Sequence, residues 1–209
     1  MVDLTPLTRA ISAGDRVEAV RLANDAVADG LEPQLVLDAM TLAMSETGAR
    51  FQRNEIYVPE MLIAARAMKE AMAVLEPVLV GAGIKPEATA VLGTVKGDLH
   101  DIGKNLVGMM WKGANIEVID LGTNVPAERF AEAAVEHNAQ LVGVSALLTT
   151  TMVGMANVVA AIRAARHDNT KVIVGGAPVT EEFAREIGAD GYAPDAGSAV
   201  EIAQAAIRR

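Results

Sequence analysis

Two patterns of apolar spacing predict the fold class: an α/β chain with an N-terminal helical domain, in which a four-helix bundle precedes a doubly wound sheet of five parallel strands. The first eighty or so residues place apolar side chains only at helix-like intervals. From Thr89 onward, short runs rich in strand formers alternate with helical segments five times in succession. Between the two lies the stretch 81–88, GAGIKPEA, a linker by its composition. The domains are accordingly expected at residues 1–84 and 85–209.

In the first domain Leu7, Ile11, Val17, Val20 and Leu22 are spaced as on helices among polar neighbours. Leu35, Val36, Ala39, Met40 and Ala43 continue the pattern after Pro33, a residue suited to a first helical turn. A long helix is expected over about residues 59–79, where Leu62, Ala65, Ala67, Met68, Met72 and Leu75 form a broad apolar surface. Breaks at Gly14, at 30–33 and at 54–58 divide the segment into four helices, as in a small antiparallel bundle.

In the second domain the strand candidates are TAVLGTV, IEVIDL, LVGVSAL, KVIVGG and DGYA. Helices are expected over about 104–112, 127–137, 153–166, 180–188 and 199–207. Repeated strand–helix units of this length imply right-handed crossovers and helices on both faces of a parallel sheet. In such sheets ligands bind beyond the carboxyl ends of the strands, where the strand order reverses.

Composition removes several classes of function. The formal net charge of −9, with no basic stripe, disfavours nucleic acid as a partner. No run approaches the roughly 20 apolar residues of a membrane span, so no membrane association is expected. The opening MVDLTPLTRAISAGDR lacks the basic-then-apolar pattern of a signal peptide, and a cytoplasmic location is expected. There is no cysteine, which excludes disulfides, cysteine-held iron–sulfur clusters and thiolate zinc sites. Aromatic residues make up only 3%, so the core must be built from Ala, Val, Leu, Ile and Met.

The candidate site is the loop directly after the first strand, Gly97-Asp98-Leu99-His100-Asp101-Ile102-Gly103. It sets an imidazole at the ligand-binding edge, with Asp98 two residues earlier and within reach of the ring. A metal-bound histidine normally gives its second ring N–H to such a carboxylate, which fixes the tautomer and raises ligand basicity. Gly97 and Gly103 permit a tight turn and a close approach by a bulky group. The residues alone also allow a plainer reading: a capped turn in which Asp98 or Asp101 is a helix N-cap and His100 is merely exposed. His137 and His167 read as polar residues near helix ends, and a phosphate-binding loop is a poor match to the glycine spacing.

The stretch GTVKGDLHDIGKNLVG, followed by IEVIDLGTNVPAERF, carries the DxHxxG signature. It resembles the cobalamin-binding region of methionine synthase and the free-standing corrinoid proteins of corrinoid-dependent methyltransferase systems. The resemblance covers essentially the whole chain. It implies that the sheet domain is flavodoxin-like, that the bundle caps the upper face of the corrin, and that the cofactor is cobalamin or a related corrinoid. Cobalt would be held by His100, with the nucleotide tail displaced and Asp98 behind the ligand. Thr151 falls where a serine continues the His–Asp chain in methionine synthase.

The resemblance further implies that Ser145, Leu147 and Thr149 line the buried tail, although residues 149–151 also read as a helix N-cap cluster. Gly175 and Gly176 would leave an opening for the flat dimethylbenzimidazole, or would simply form a strand-to-helix turn. Tyr192 and Ala196 would close the far end of the tail. Tyr57, Leu62, Ala65 and Met68 would lie above the ring, or else belong to ordinary bundle core.

The function so implied is carriage of a methyl group, with methylcobalamin and cob(I)alamin as the working states. The partners would be a substrate-specific methyltransferase, an acceptor methyltransferase using tetrahydrofolate or coenzyme M, and a reductive activation protein. Such a chain is a cobalamin-carrying subunit of a methyltransferase rather than a complete enzyme. Two other roles are weaker. A cobalamin-dependent sensor or regulator would add a basic DNA-binding segment, and the cobalamin subunit of a mutase usually lacks the helical cap.

Overall fold

The computed structural model describes residues 3–165 and 169–208. They form two compact units: one comprises the chain up to Pro86 together with Lys112–Asn115, and the other Glu87–Trp111 and the chain from Ile116 onward. The expected helix end at Arg166, and His167, lie outside the described residues.

The first unit holds four helices, α1 (Thr5–Ala13), α2 (Arg16–Ala28), α3 (Pro33–Gln52) and α4 (Val58–Gly81). Gly14 ends α1 in the left-handed conformation, at φ +75°, and its N–H returns to the Ile11 carbonyl. Asp15 then caps α2 by accepting the Glu18 N–H at 3.0 Å. α4 packs on α2 and α3, while α1 lies against α2 and α3. Their shared core is Leu7, Ile11, Leu37, Met40, Met44, Met61 and Leu75, all fully buried. Val17 and Leu35, which share the helical spacing, are 74% and 59% exposed and so stand outside this core. α4 also runs through Pro77 to Gly81, so the connection between the halves is shorter than the composition of residues 81–88 suggests.

The second unit is a five-stranded parallel sheet in the order β2-β1-β3-β4-β5. The strands are β1 (Ala88–Thr94), β2 (Ile116–Asp120), β3 (Leu141–Ser145), β4 (Lys171–Gly175) and β5 (Gly191–Ala193). The helices that follow them are α5 (Ile102–Gly113), α6 (Ala127–Glu136), α7 (Thr149–Met152), α8 (Gly154–Ala164), α9 (Glu181–Glu186) and α10 (Ala196–Ile207). A short α7 before α8 replaces the single helix expected from residue 153.

Alternating strand residues feed two faces. Val91, Val142, Val144, Val172 and Val174 pack with Phe130, Met155, Val158 and Ile162 on one of them. On the other, Leu92 and Trp111 pack across Gly143, and the Trp111 indole N–H donates to the Ala199 carbonyl at 3.0 Å. Two glycines make room for the two largest fully buried side chains, Phe130 and Trp111. A Cβ on Gly93 would fall 2.7 Å from Phe130, and one on Gly143 would fall 2.7 Å from Trp111. Strand order reverses between β1 and β3, so the loops that follow them open a crevice at their carboxyl ends.

Candidate functional site

That crevice contains the loop predicted from sequence. Asp98 is completely buried between the two loops. Its Oδ1 accepts the His100 N–H at 3.0 Å and meets His100 Nδ1 at 2.7 Å. Its Oδ2 accepts the Leu147 N–H at 2.8 Å, the Leu148 N–H at 3.4 Å and the Thr151 hydroxyl at 2.7 Å. The structure therefore brings Asp98, His100, Leu147 and Thr151 together, and Asp98 does not act as a helix N-cap.

Burial by itself would push the Asp98 carboxyl up. The Leu147 N–H, the Thr151 hydroxyl and the His100 N–H and ring outweigh it, and hold the group far below the ordinary carboxylate range. Asp98 is thus an anion, and the proton in the short bond to His100 belongs on Nδ1. The other ring nitrogen, Nε2, is not engaged by Asp98, and the side chain is 51% exposed.

Around this imidazole the apolar residues are turned outward. Leu99 is 73% and Ile102 78% exposed, and Leu147 and Leu148 are also exposed. Gly103, at the start of α5, has open space where a Cβ would stand. Asp101 accepts the Asn105 side-chain amide at 3.0 Å and takes no part in the Asp98 cluster.

The glycines of the β4 loop answer to the backbone. A Cβ on Gly176, whose φ is +129°, would fall 1.8 Å from the Ala146 carbonyl oxygen, and one on Gly175 would fall 2.6 Å from that of Ala193. The Ala146 and Ala193 carbonyls occupy the space that side chains would need. Ser145 and Tyr192 are half-buried, Thr149 is exposed, and Ala196 is buried. Thr149 begins α7, whose N-cap position, Leu148, makes no side-chain cap, so the expected hydroxyl cap is not formed there. In the first unit Tyr57 and Leu62 are exposed, and Ala65 and Met68 are buried. His137 is the C-cap of α6.

Residues 88–201 match a family model described as a B12 binding domain, and residues 4–76 match a second model of the same description. A corrinoid protein of Desulfitobacterium hafniense (strain Y51) is 39% identical over 205 residues, covering 96% of this chain and 95% of its own length. The chain belongs to the corrinoid proteins. This corrinoid protein is also 38% identical to trimethylamine corrinoid protein 1 of Methanosarcina acetivorans, over 95% of this chain and 94% of that one. A solved relative is the methanol:cobalamin methyltransferase complex MtaBC of Methanosarcina barkeri. It aligns with a TM-score of 0.82 at 28% identity, over 97% of this chain and 78% of that chain.

The residues present suit the corrinoid that the family implies. An imidazole whose Nδ1 is held by a carboxylate can offer Nε2 as a donor to a cobalt ion. The outward-turned Leu99, Ile102, Leu147 and Leu148 offer apolar surface for a large ring.

Two parts of the site were not singled out by sequence reading. Thr94 donates its hydroxyl to the His100 carbonyl at 3.0 Å, and Asn124 accepts the Gly97 N–H at 2.8 Å. Asn124 had a signal, since Gly122 and Asn124 are turn-forming residue types two apart, and its φ of 54° is left-handed. Thr94 had none beyond its place at the end of a strand.

Proposed function

We propose that this corrinoid protein holds cobalamin with its nucleotide tail displaced, that His100 Nε2 is the lower ligand to cobalt, and that the loaded protein carries methyl groups between two methyltransferases. One would be specific for the methyl donor. The other would pass the group to an acceptor such as tetrahydrofolate or coenzyme M. A single observation carries the reading: the fully buried Asp98 grips His100 Nδ1 at 2.7 Å and leaves Nε2 as the open donor at the strand crevice. The names of the relatives support the partnership, since they include a trimethylamine corrinoid protein and a methanol:cobalamin methyltransferase complex.

When bound, the cofactor would supply a cobalt electron pair able to take up a methyl cation equivalent from a methyl donor, whose leaving group keeps the bonding pair. The residues of this chain do the rest. Asp98 holds the proton on Nδ1 and aims the ring. The Thr151 hydroxyl and the Leu147 N–H share the charge of Asp98, and so set how strongly it withdraws that proton. Leu99, Ile102, Leu147 and Leu148 present a dry surface to the ring system. The backbone at Gly175 and Gly176, with Ser145, Thr149, Tyr192 and Ala196, is assigned to the displaced tail. A B12-binding match of its own at residues 4–76 supports a cofactor role for the helical half, with Tyr57 and Leu62 as its exposed members.

The division of labour can be tested directly. The chain is loaded with cobalamin, reduced, and mixed with a methylamine or methanol, with and without the matching methyltransferase, while the visible spectrum of the bound corrinoid is followed. The spectrum is expected to change only when the partner is present, with a reductive activation protein or chemical reductant needed to sustain turnover. Rapid, saturable methyl uptake by this chain alone would overturn the carrier reading.

A further inference from the structure

We propose that Thr94 is a positioning residue for the His100 imidazole, acting on the main chain of His100 as Asp98 acts on its ring. The proposal rests on the ligand reading above. Thr94 is the last residue of β1 and is fully buried. Its hydroxyl donates to the His100 carbonyl at 3.0 Å. Its own N–H donates to the Gly122 carbonyl at 3.0 Å, and its carbonyl accepts the Val125 N–H at 2.9 Å. One residue thus ties the backbone of the ligand-bearing loop to the loop after β2.

The β2 loop is itself secured. The buried Lys104 ammonium lies 2.5 Å from both carboxylate oxygens of Asp120. Asp120 Oδ1 in turn accepts the Gly122 N–H at 2.9 Å. Asn124 adds two more ties to the first loop: its side-chain oxygen accepts the Gly97 N–H at 2.8 Å, and its N–H donates to the Asp98 carbonyl at 2.9 Å. The segment 95–101 would otherwise be a seven-residue excursion with a left-handed Gly97 (φ +85°) inside it.

A ligand ring has two positional determinants, its own torsion and the place of its backbone. Asp98 settles the first and, through the His100 N–H, shares the second with Thr94, which holds the His100 carbonyl. A hydroxyl buried in a strand end costs free energy unless it is hydrogen-bonded. Valine would fill the same volume and favour the strand. The feature that distinguishes threonine from valine here is therefore the bond to His100.

The test uses Thr94→Val, which keeps shape and removes the donor, and Thr94→Ser, which keeps the donor. In the cofactor-free protein, amide exchange at His100, whose N–H donates to Asp98, reads the loop without any corrinoid. In protein grown on nitrogen-15 histidine and loaded with cob(II)alamin, electron paramagnetic resonance reads the fraction of cobalt carrying the labelled histidine nitrogen. Thr94→Val is expected to speed His100 exchange and to weaken nitrogen ligation roughly tenfold, the low end for a partner behind a metal ligand. Thr94→Ser should restore both, and thermal melting should show all three proteins folded. Unchanged His100 exchange in Thr94→Val, or a failure of Thr94→Ser to restore it, overturns the positioning role. Loss of nitrogen splitting in the wild type would instead overturn the ligand reading, and the exchange data would still decide the role of Thr94.

Discussion

Asp98 concentrates the chemistry of the site into one buried carboxylate with five donors on its two oxygens. Asp98→Asn removes the anion and turns an amide N–H toward groups that are themselves donors. Leaving buried donors unsatisfied costs about 1–3 kcal/mol, so the cofactor-free variant should be less stable than wild type by that order at neutral pH. The pH dependence has a definite sign. Because the folded-state carboxyl lies below its unfolded value of about 3.9, its stabilisation is fully present above that pH and is lost as pH falls toward the folded value. The stability gap between wild type and Asp98→Asn should therefore be widest near pH 7 and narrow below about pH 4, as measured by urea unfolding across pH. A gap that is constant with pH would count against an ionised Asp98.

The same residue shows what a sequence can reveal at this scale. His100 N–H to Asp98 is a bond between residues two apart, local enough to be read from spacing. The carbonyl-directed hydroxyl of Thr94 and the amide-directed side chain of Asn124 reach backbone atoms 6 and 27 residues away. Many residue types could stand there without betraying such a bond, so these supports emerge only in three dimensions.

At the scale of elements, two glycines near the crevice separate folding from binding. Gly176 has a left-handed backbone and no room for a Cβ beside the Ala146 carbonyl, so Gly176→Ala should destabilise the fold by at least about 1–3 kcal/mol. Gly103 lies in the first turn of α5 with open space around its missing Cβ. Alanine is the better helix former there by roughly 0.5–1 kcal/mol, so Gly103→Ala should leave the melting temperature unchanged or higher. If the open space belongs to the cofactor, the same variant should bind cobalamin more weakly, as read by equilibrium dialysis. Unimpaired binding would show that the space at Gly103 is not used by the ligand.

The elements were legible where periodicity was strong. The four helices and five strands follow from the switch between a period near 3.6 and short β-rich runs. Local departures have local causes. Pro77 is tolerated inside α4, and Val17 and Leu35 share the apolar spacing but are exposed. At the β4 glycines a Cβ would strike the carbonyls of Ala146 and Ala193, a packing reason that sequence alone does not display.

For the molecule as a whole, a helical half and a parallel sheet in the order β2-β1-β3-β4-β5 make up a corrinoid protein, and no described helix is long and apolar enough to cross a membrane. The sheet order matters most for function, because it opens a crevice between β1 and β3 and delivers both loops that hold Asp98. The central claim is that His100 Nε2 is the lower ligand to cobalt. The measurement that meets this claim most directly is electron paramagnetic resonance of the protein loaded with cob(II)alamin, prepared once with ordinary and once with nitrogen-15 histidine. Hyperfine splitting from one axial nitrogen is expected, changing from the three-line pattern of nitrogen-14 to the two-line pattern of nitrogen-15 on labelling. A splitting unaltered by labelled histidine, or none at all, would contradict it.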